Sequence, residues 1–176
     1  PSPPPSNHFA LVAPKNTDVL RLSPQNSTQY LDLDPFDSRF TRKGRIEYSR
    51  GRPAVKSAFR SAAYLLRSWL AHRDDLDPTE IELSLLTTRE DASNQRVGCI
   101  VLSDKNPNGS GFTRDLAYGL QDAFNEMLRG LHPTPWVVDL VDPLIHGGFS
   151  SMRGCQQSCE RCIRVYNNMR EHGMLD

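Results

Sequence analysis

Apolar positions along this chain repeat with two different periods, and the switch between them marks out the elements. From Pro53 onward, Val55, Phe59, Ala62, Ala63, Leu66, Trp69 and Leu70 recur at helical spacing and form one stripe. Pro is favoured in a first helical turn, where its missing N–H costs nothing, so the pattern predicts a helix over 53–73. A second stripe, Leu116, Leu120, Ala123, Phe124, Met127 and Leu128, predicts a helix over 113–129 that Gly130 and Pro133 terminate. Between them the period drops to two. EIELSLL (80–86) places Ile81, Leu83 and Leu85 on one side, as a half-buried strand does. RVGCIVLSD (96–104) is a short apolar run and predicts a central strand, with Cys99 inside it as a small buried hydrophobe. FALVA (9–13) and TDVLRL (17–22), separated by Pro14, Lys15 and Asn16, predict two more strands. WVVDLVD (136–142) predicts another over 136–141, and a short final helix starting within 160–170 would carry Ile163, Val165 or Tyr166 into the core. Residues 88–95 and 39–52 are polar and are expected as loops. The fold class these patterns imply is α/β: a mixed or mainly antiparallel sheet with two packing helices.

Length and charge narrow the picture. The 176 residues suffice for one domain with a real core. Residues 1–8, PSPPPSNH, supply few backbone donors and are expected to be an extended linker, with a single domain over 9–176. Lys plus Arg equals Asp plus Glu, so no global field draws the chain to nucleic acid or membrane. No run of about 18 apolar residues exists to span a bilayer. No signal peptide is visible, and three of the four cysteines are clustered, unlike a secreted disulfide scaffold; a cytoplasmic protein is expected. The abrupt PSPPPS start without an initiator Met suggests a piece of a longer protein. One local imbalance stands out: residues 39–52 hold Arg39, Arg42, Lys43, Arg45, Arg50 and Arg52 against Glu47 alone. Such a segment either contacts phosphates or is an ordinary solvated loop.

The sharpest chemical signal lies near the C-terminus. Cys155, Cys159 and Cys162 read C-x3-C-x2-C, a spacing that lets a short loop bring three thiolates to one soft cation. Zn²⁺ takes four ligands tetrahedrally, so one more is needed. His172 is the nearest candidate, and His146 and Cys99 are the others. The same spacing serves iron–sulfur clusters in radical enzymes, but those motifs sit early in a larger barrel. Free thiols are the remaining reading. Elsewhere, Gly109-Ser110-Gly111 before the second helix either cradles a phosphate or permits a tight reversal; the full dinucleotide and P-loop fingerprints are lacking. Asp104 with Asp32, Asp34, Asp139 and Asp142 could furnish a two-metal nuclease, although carboxylates at strand ends are commonly turn or cap residues.

The order of these segments resembles a known family. TDVLRL, then VKSAFRSAAYLLRSWLA with LDPTEIEL, then IVLSDKNPNGSGFTRDL, then the cysteine cluster with YNNMREHGMLD, is similar to the MrfA-like zinc-binding (MZB) domain. That domain lies at the C-terminus of many DEAD/DEAH-type helicases and helicase-associated phage-defence proteins; this variant looks most like those of the DISARM DrmB and Druantia helicase groups. The likeness runs from about residue 15 to 176, and the cysteine cluster with Tyr166, Asn167, His172 and Leu175-Asp176 is its most specific part. In the repair-helicase branch a fourth cysteine precedes a Gly-Asn pair, whereas here Tyr166-Asn167 stands near that place. The resemblance implies a non-catalytic accessory domain with a zinc knuckle over 146–176, which helps a neighbouring helicase motor engage DNA or a partner subunit. An independent metal-dependent nuclease or iron–sulfur enzyme is the competing expectation.

Overall fold

A nine-residue strand organises the molecule because it alone is long and apolar enough to pair on both sides. The computed structural model of the chain describes residues 15–25, 32–37, 39–42, 45–48, 51–84, 86–129, 135, 137, 168 and 169, with 39–42 and 45–48 as backbone only. The elements run β1 (Val19–Leu22), β2 (Arg39–Arg42), β3 (Arg45–Tyr48), α1 (Pro53–Arg73), β4 (Ile81–Leu83), β5 (Thr87–Glu90), β6 (Arg96–Asp104) and α2 (Phe112–Arg129). A 3-10 turn, Pro78–Glu80, precedes β4 and is capped by the Asp77 side chain, which accepts from Thr79 N.

Strand β6 pairs antiparallel with β1 along one edge and with β4 and β5 in succession along the other. β4 covers the C-terminal end of β6, with Ile81 opposite Asp104, and β5 covers its N-terminal end, with Thr87 opposite Cys99. The single strand expected over 80–86 is therefore shorter, and the polar loop expected from 88 is partly a strand. Ser84 N still reaches Val101 O at 2.9 Å across the break. The polar side chains of Thr87, Thr88, Arg89 and Glu90 carry no apolar signal, yet their backbone completes an edge that β6 would otherwise leave unpaired. The basic segment is likewise not a loop: β2 and β3 form a separate two-stranded hairpin, with Arg39 opposite Tyr48 and Arg42 opposite Arg45.

The two helices pack on one face of the sheet. Ala63, Leu66, Trp69 and Leu70 of α1 meet Ile81, Ile100 and Leu102 of the sheet and Leu116, Ala123 and Met127 of α2. Gly98 lets α1 approach: a Cβ there would lie 2.5 Å from Phe59 Cε2, so only glycine leaves room for the ring against β6. Helix α1 also buries Tyr64 and Arg67, outside the expected stripe, with the Arg67 guanidinium 4.7 Å from the Tyr64 ring centroid. The buried side of α2 is turned from the expected stripe. It carries Gly119 and Glu126, while Phe124 and Leu128 are 40% and 53% exposed. On that buried side Trp69 Nε1 donates to Glu126 Oε2 at 2.7 Å, so the carboxylate enters the core with a partner.

Of the strand expected over 136–141, only Val137 is described; it is helical rather than extended, and wholly buried in the core. The 9–13 strand and the residues Ile163, Val165 and Tyr166 lie outside the described residues, as does most of the 146–176 knuckle. Asn168 is buried within a short 3-10 turn, and Met169 beside it is exposed. No helix among the described residues is long and apolar enough to cross a membrane.

Candidate functional site

The best-defined polar constellation surrounds Asp104, the last residue of β6. Its carboxylate is fully buried and accepts four backbone N–H groups. Ser110 N and Gly111 N donate to Oδ2 at 2.7 Å each, Phe112 N to Oδ2 at 3.1 Å, and Thr113 N to Oδ1 at 2.9 Å. The Gly111, Phe112 and Thr113 N–H groups open α2 and have no intrahelical partner, and Ser110 N belongs to the turn before it, so a carboxylate from the preceding strand caps the helix across that turn. The turn needs left-handed backbone, with φ of 70° at Asn108, 73° at Gly109 and 85° at Gly111. It is also tied to the segment just ahead of β1: Asn108 N donates to Asn16 O at 2.6 Å, and Thr17 Oγ1 donates to Asp104 O at 2.9 Å and Asn106 O at 3.1 Å. Burial is the largest influence on the Asp104 carboxyl and pushes its pKa up; the hydrogen bonds from Thr113, Ser110 and Gly111 together outweigh it and hold the group below the ordinary carboxylate value. The glycine turn thus works as a tight reversal, and the donors that could have held a phosphate are already taken by Asp104.

The other carboxylates considered for a two-metal site have separate occupations. Asp34 Oδ1 accepts from Phe36 N at 2.9 Å, and its Oδ2 pairs with Arg96 Nε at 3.3 Å. Asp32 Oδ1 accepts from Asp34 N at 3.0 Å, and its Oδ2 pairs with Arg52. Asp139 and Asp142 lie outside the described residues. Among the described residues no group of three or more His, Cys, Asp or Glu side chains is placed to hold a metal ion. Cys155, Cys159, Cys162, His172 and His146 are outside that set. Cys99 is described: it sits buried in the middle of β6, with Sγ 3.7 Å from Ile100 O.

In the basic segment, Arg39, Arg42 and Arg45 are strand residues of the hairpin, while Lys43 and Arg50 lie outside the described residues. Arg52 has a different task. Its Nη2 pairs with Asp32 and lies 3.2 Å from Asp37 Oδ2, and its Nη1 donates to Asp32 O at 3.2 Å. Arg52 N also donates to Pro35 O at 3.1 Å. The guanidinium therefore clamps the base of the hairpin to the 32–37 loop. Sequence reading missed this clamp; the signal was the acidic run Asp32, Asp34 and Asp37 just ahead of the basic one.

No family model, curated protein or solved structure matches the chain.

Proposed function

We propose that the chain is a zinc-stabilised accessory domain of a helicase-type DNA-processing or phage-defence protein, acting in the cytoplasm beside an ATP-driven motor. In this reading Cys155, Cys159 and Cys162 hold Zn²⁺, His172 supplies the fourth ligand, and His146 or Cys99 stand as alternatives to it. Thiolates are soft ligands suited to Zn²⁺, and such a knuckle contributes folding energy rather than reactivity. The observation that carries the non-catalytic half of the proposal is the Asp104 cap: the carboxylate that would lead a nuclease site is saturated by four backbone donors. The order of segments carries the other half through its resemblance to MZB domains. DNA contact, on this reading, comes through Arg39, Arg42, Lys43, Arg45 and Arg50 of the hairpin segment, which Arg52 steadies at its base.

The test is metal analysis of the full chain purified without added metal or chelator. A single bound zinc, lost on Cys159→Ser, is the expected result. A colourless protein without zinc, or a brown one containing iron, defeats the proposal. Divalent-metal-dependent DNA cleavage abolished by Asp104→Asn in a still-folded chain would favour the enzyme instead.

A further inference from the structure

The turn that joins β6 to α2 carries the one Asn-Gly pair in the sequence, Asn108-Gly109. The fold imposes both residues. Asn108 has φ 70° and Gly109 φ 73°, left-handed values that asparagine tolerates and glycine adopts freely. Gly109 is fixed a second time by its surroundings: a Cβ there would lie 2.6 Å from Asp18 Oδ2. Asn-Gly is also the dipeptide in which an asparagine side chain is chemically most exposed to its own backbone. The amide nitrogen of the following residue attacks the side-chain carbonyl carbon, and glycine, without a Cβ, hinders that approach least.

The surroundings of Asn108 leave that route open. The residue is exposed, and its side chain makes no hydrogen bond among the described residues. Only its backbone is held, by the bond from Asn108 N to Asn16 O. The attacking nitrogen, Gly109 N, is engaged by one long bond to Asn106 O at 3.2 Å, which must open first. The other described asparagines are better protected. Asn106, in the same turn, precedes Pro107, whose nitrogen has no proton to lose. Asn16 precedes Thr17, whose branched Cβ crowds the approach. Asn94 precedes Gln95, whose N–H is bonded to Asp91 Oδ1 at 3.0 Å. Asn125 sits within α2, where its Oδ1 accepts from Gln121 at 3.0 Å, and Asn168 is buried.

We propose that Asn108 is a site of spontaneous deamidation, and that the change loosens the cap of α2 as the chain ages. Gly109 N loses its proton and bonds to Asn108 Cγ, the side-chain amide leaves as ammonia, and a cyclic imide remains. Water then opens the ring. Breaking the bond from the nitrogen to Cγ gives aspartate. Breaking the bond from the nitrogen to the main-chain carbonyl carbon gives isoaspartate, whose chain runs through Cβ and Cγ. Both products act on the cap, because this turn delivers Ser110 N and Gly111 N to Asp104 Oδ2 at 2.7 Å each. Isoaspartate lengthens the main chain by one carbon just ahead of those donors. Aspartate keeps the path but adds a negative charge to a turn that already packs against Asp18 and holds Asp104. The proposal stands independently of the zinc and motor reading, because it uses none of the cysteines and none of the hairpin cations.

The test incubates the full, unaltered chain at mildly alkaline pH and follows each asparagine-containing peptide by mass spectrometry. The mass change of an amide NH2 replaced by OH should accumulate at Asn108 several-fold faster than at Asn16, Asn94 or Asn125, and should not build up at Asn106. The rate should rise with pH, because the nitrogen attacks after losing its proton, and rise again in urea, which opens the turn. A protease that cuts before aspartate but not before isoaspartate separates the two products. The converted protein, resolved by anion exchange through its extra negative charge, should unfold at lower urea than the fresh chain. Its isoaspartate fraction should unfold at the lowest urea, and Asn108→Asp should match the aspartate fraction. Asn108→Gly keeps the left-handed backbone and should abolish conversion in the turn while far-UV circular dichroism stays unchanged. Conversion at Asn108 no faster than at Asn94 overturns the site, and an aged chain with the urea midpoint of the fresh one overturns its effect on the cap.

Discussion

Replacing Asp104 by Asn should be among the most damaging single-atom changes available in this protein. The swap preserves shape but removes the charge and turns one acceptor into a donor. With the amide oxygen in the Oδ2 position, the bonds from Ser110, Gly111 and Phe112 survive as neutral ones, while the amide nitrogen faces the Thr113 N–H. Two buried donor groups, the Thr113 N–H and the new amide nitrogen, are then unsatisfied, at about 1 kcal/mol each. Loss of the negative charge at the start of α2 adds about 1 kcal/mol, and weaker bonds at the other three donors add a further fraction. The sum is about 3 kcal/mol. With a urea slope of about 2 kcal/mol/M, the unfolding midpoint should fall by about 1.5 M. Asp122→Asn, on the exposed side of the same helix, should stay within about 0.5 kcal/mol of the parent. The pH dependence gives a second check. The folded carboxyl lies below its unfolded value, so its stabilisation is complete above about pH 4 and is lost as pH falls through the folded value. The gap between parent and Asp104→Asn should therefore narrow on acidification below about pH 4. A difference under about 0.5 kcal/mol at neutral pH, or a gap that does not change with acid while both proteins remain folded, would refute the cap as a source of stability.

Gly98→Ala should destabilise by about 1–3 kcal/mol through collision with the Phe59 ring, and Gly98→Ala combined with Phe59→Leu should recover part of that loss in the same urea assay. Glu126→Ala should cost about 2 kcal/mol by leaving the Trp69 indole N–H unpaired in the core, read as a melting temperature lower by about 4 °C; an unchanged value would mean the bond is replaceable by water. Arg52→Ala should loosen the hairpin base, seen as faster amide exchange across Arg39–Tyr48 than in the parent, with the α1–β6 core unaffected. Reversing Arg39, Arg42 and Arg45 in the full-length protein should weaken DNA binding and flatten its dependence on salt. Unchanged affinity and slope would make the hairpin a spacer or a protein-contact surface.

Periodicity alone determined α1, α2 and β6, together with the position of β1. Long apolar stripes and a continuous apolar run admit few alternatives, because burying them dominates local energetics. The glycine turn between β6 and α2 was equally legible, since Asn108, Gly109 and Gly111 offer the left-handed backbone a sharp reversal needs. What the sequence left open was set by partners far along the chain. β5 is a strand because β6 offers it an unpaired edge, and its own Thr-Thr-Arg-Glu carries no strand-forming apolar alternation. The inward-facing Glu126 of α2 finds its partner in Trp69, fifty-seven positions away. Asp104 became a helix cap and Arg52 a clamp only when the sheet and helices were assembled. Apolar burial is read from residue type and spacing. A hydrogen bond or an ion pair depends on where two groups end up within a few ångströms, and tertiary structure alone decides that distance.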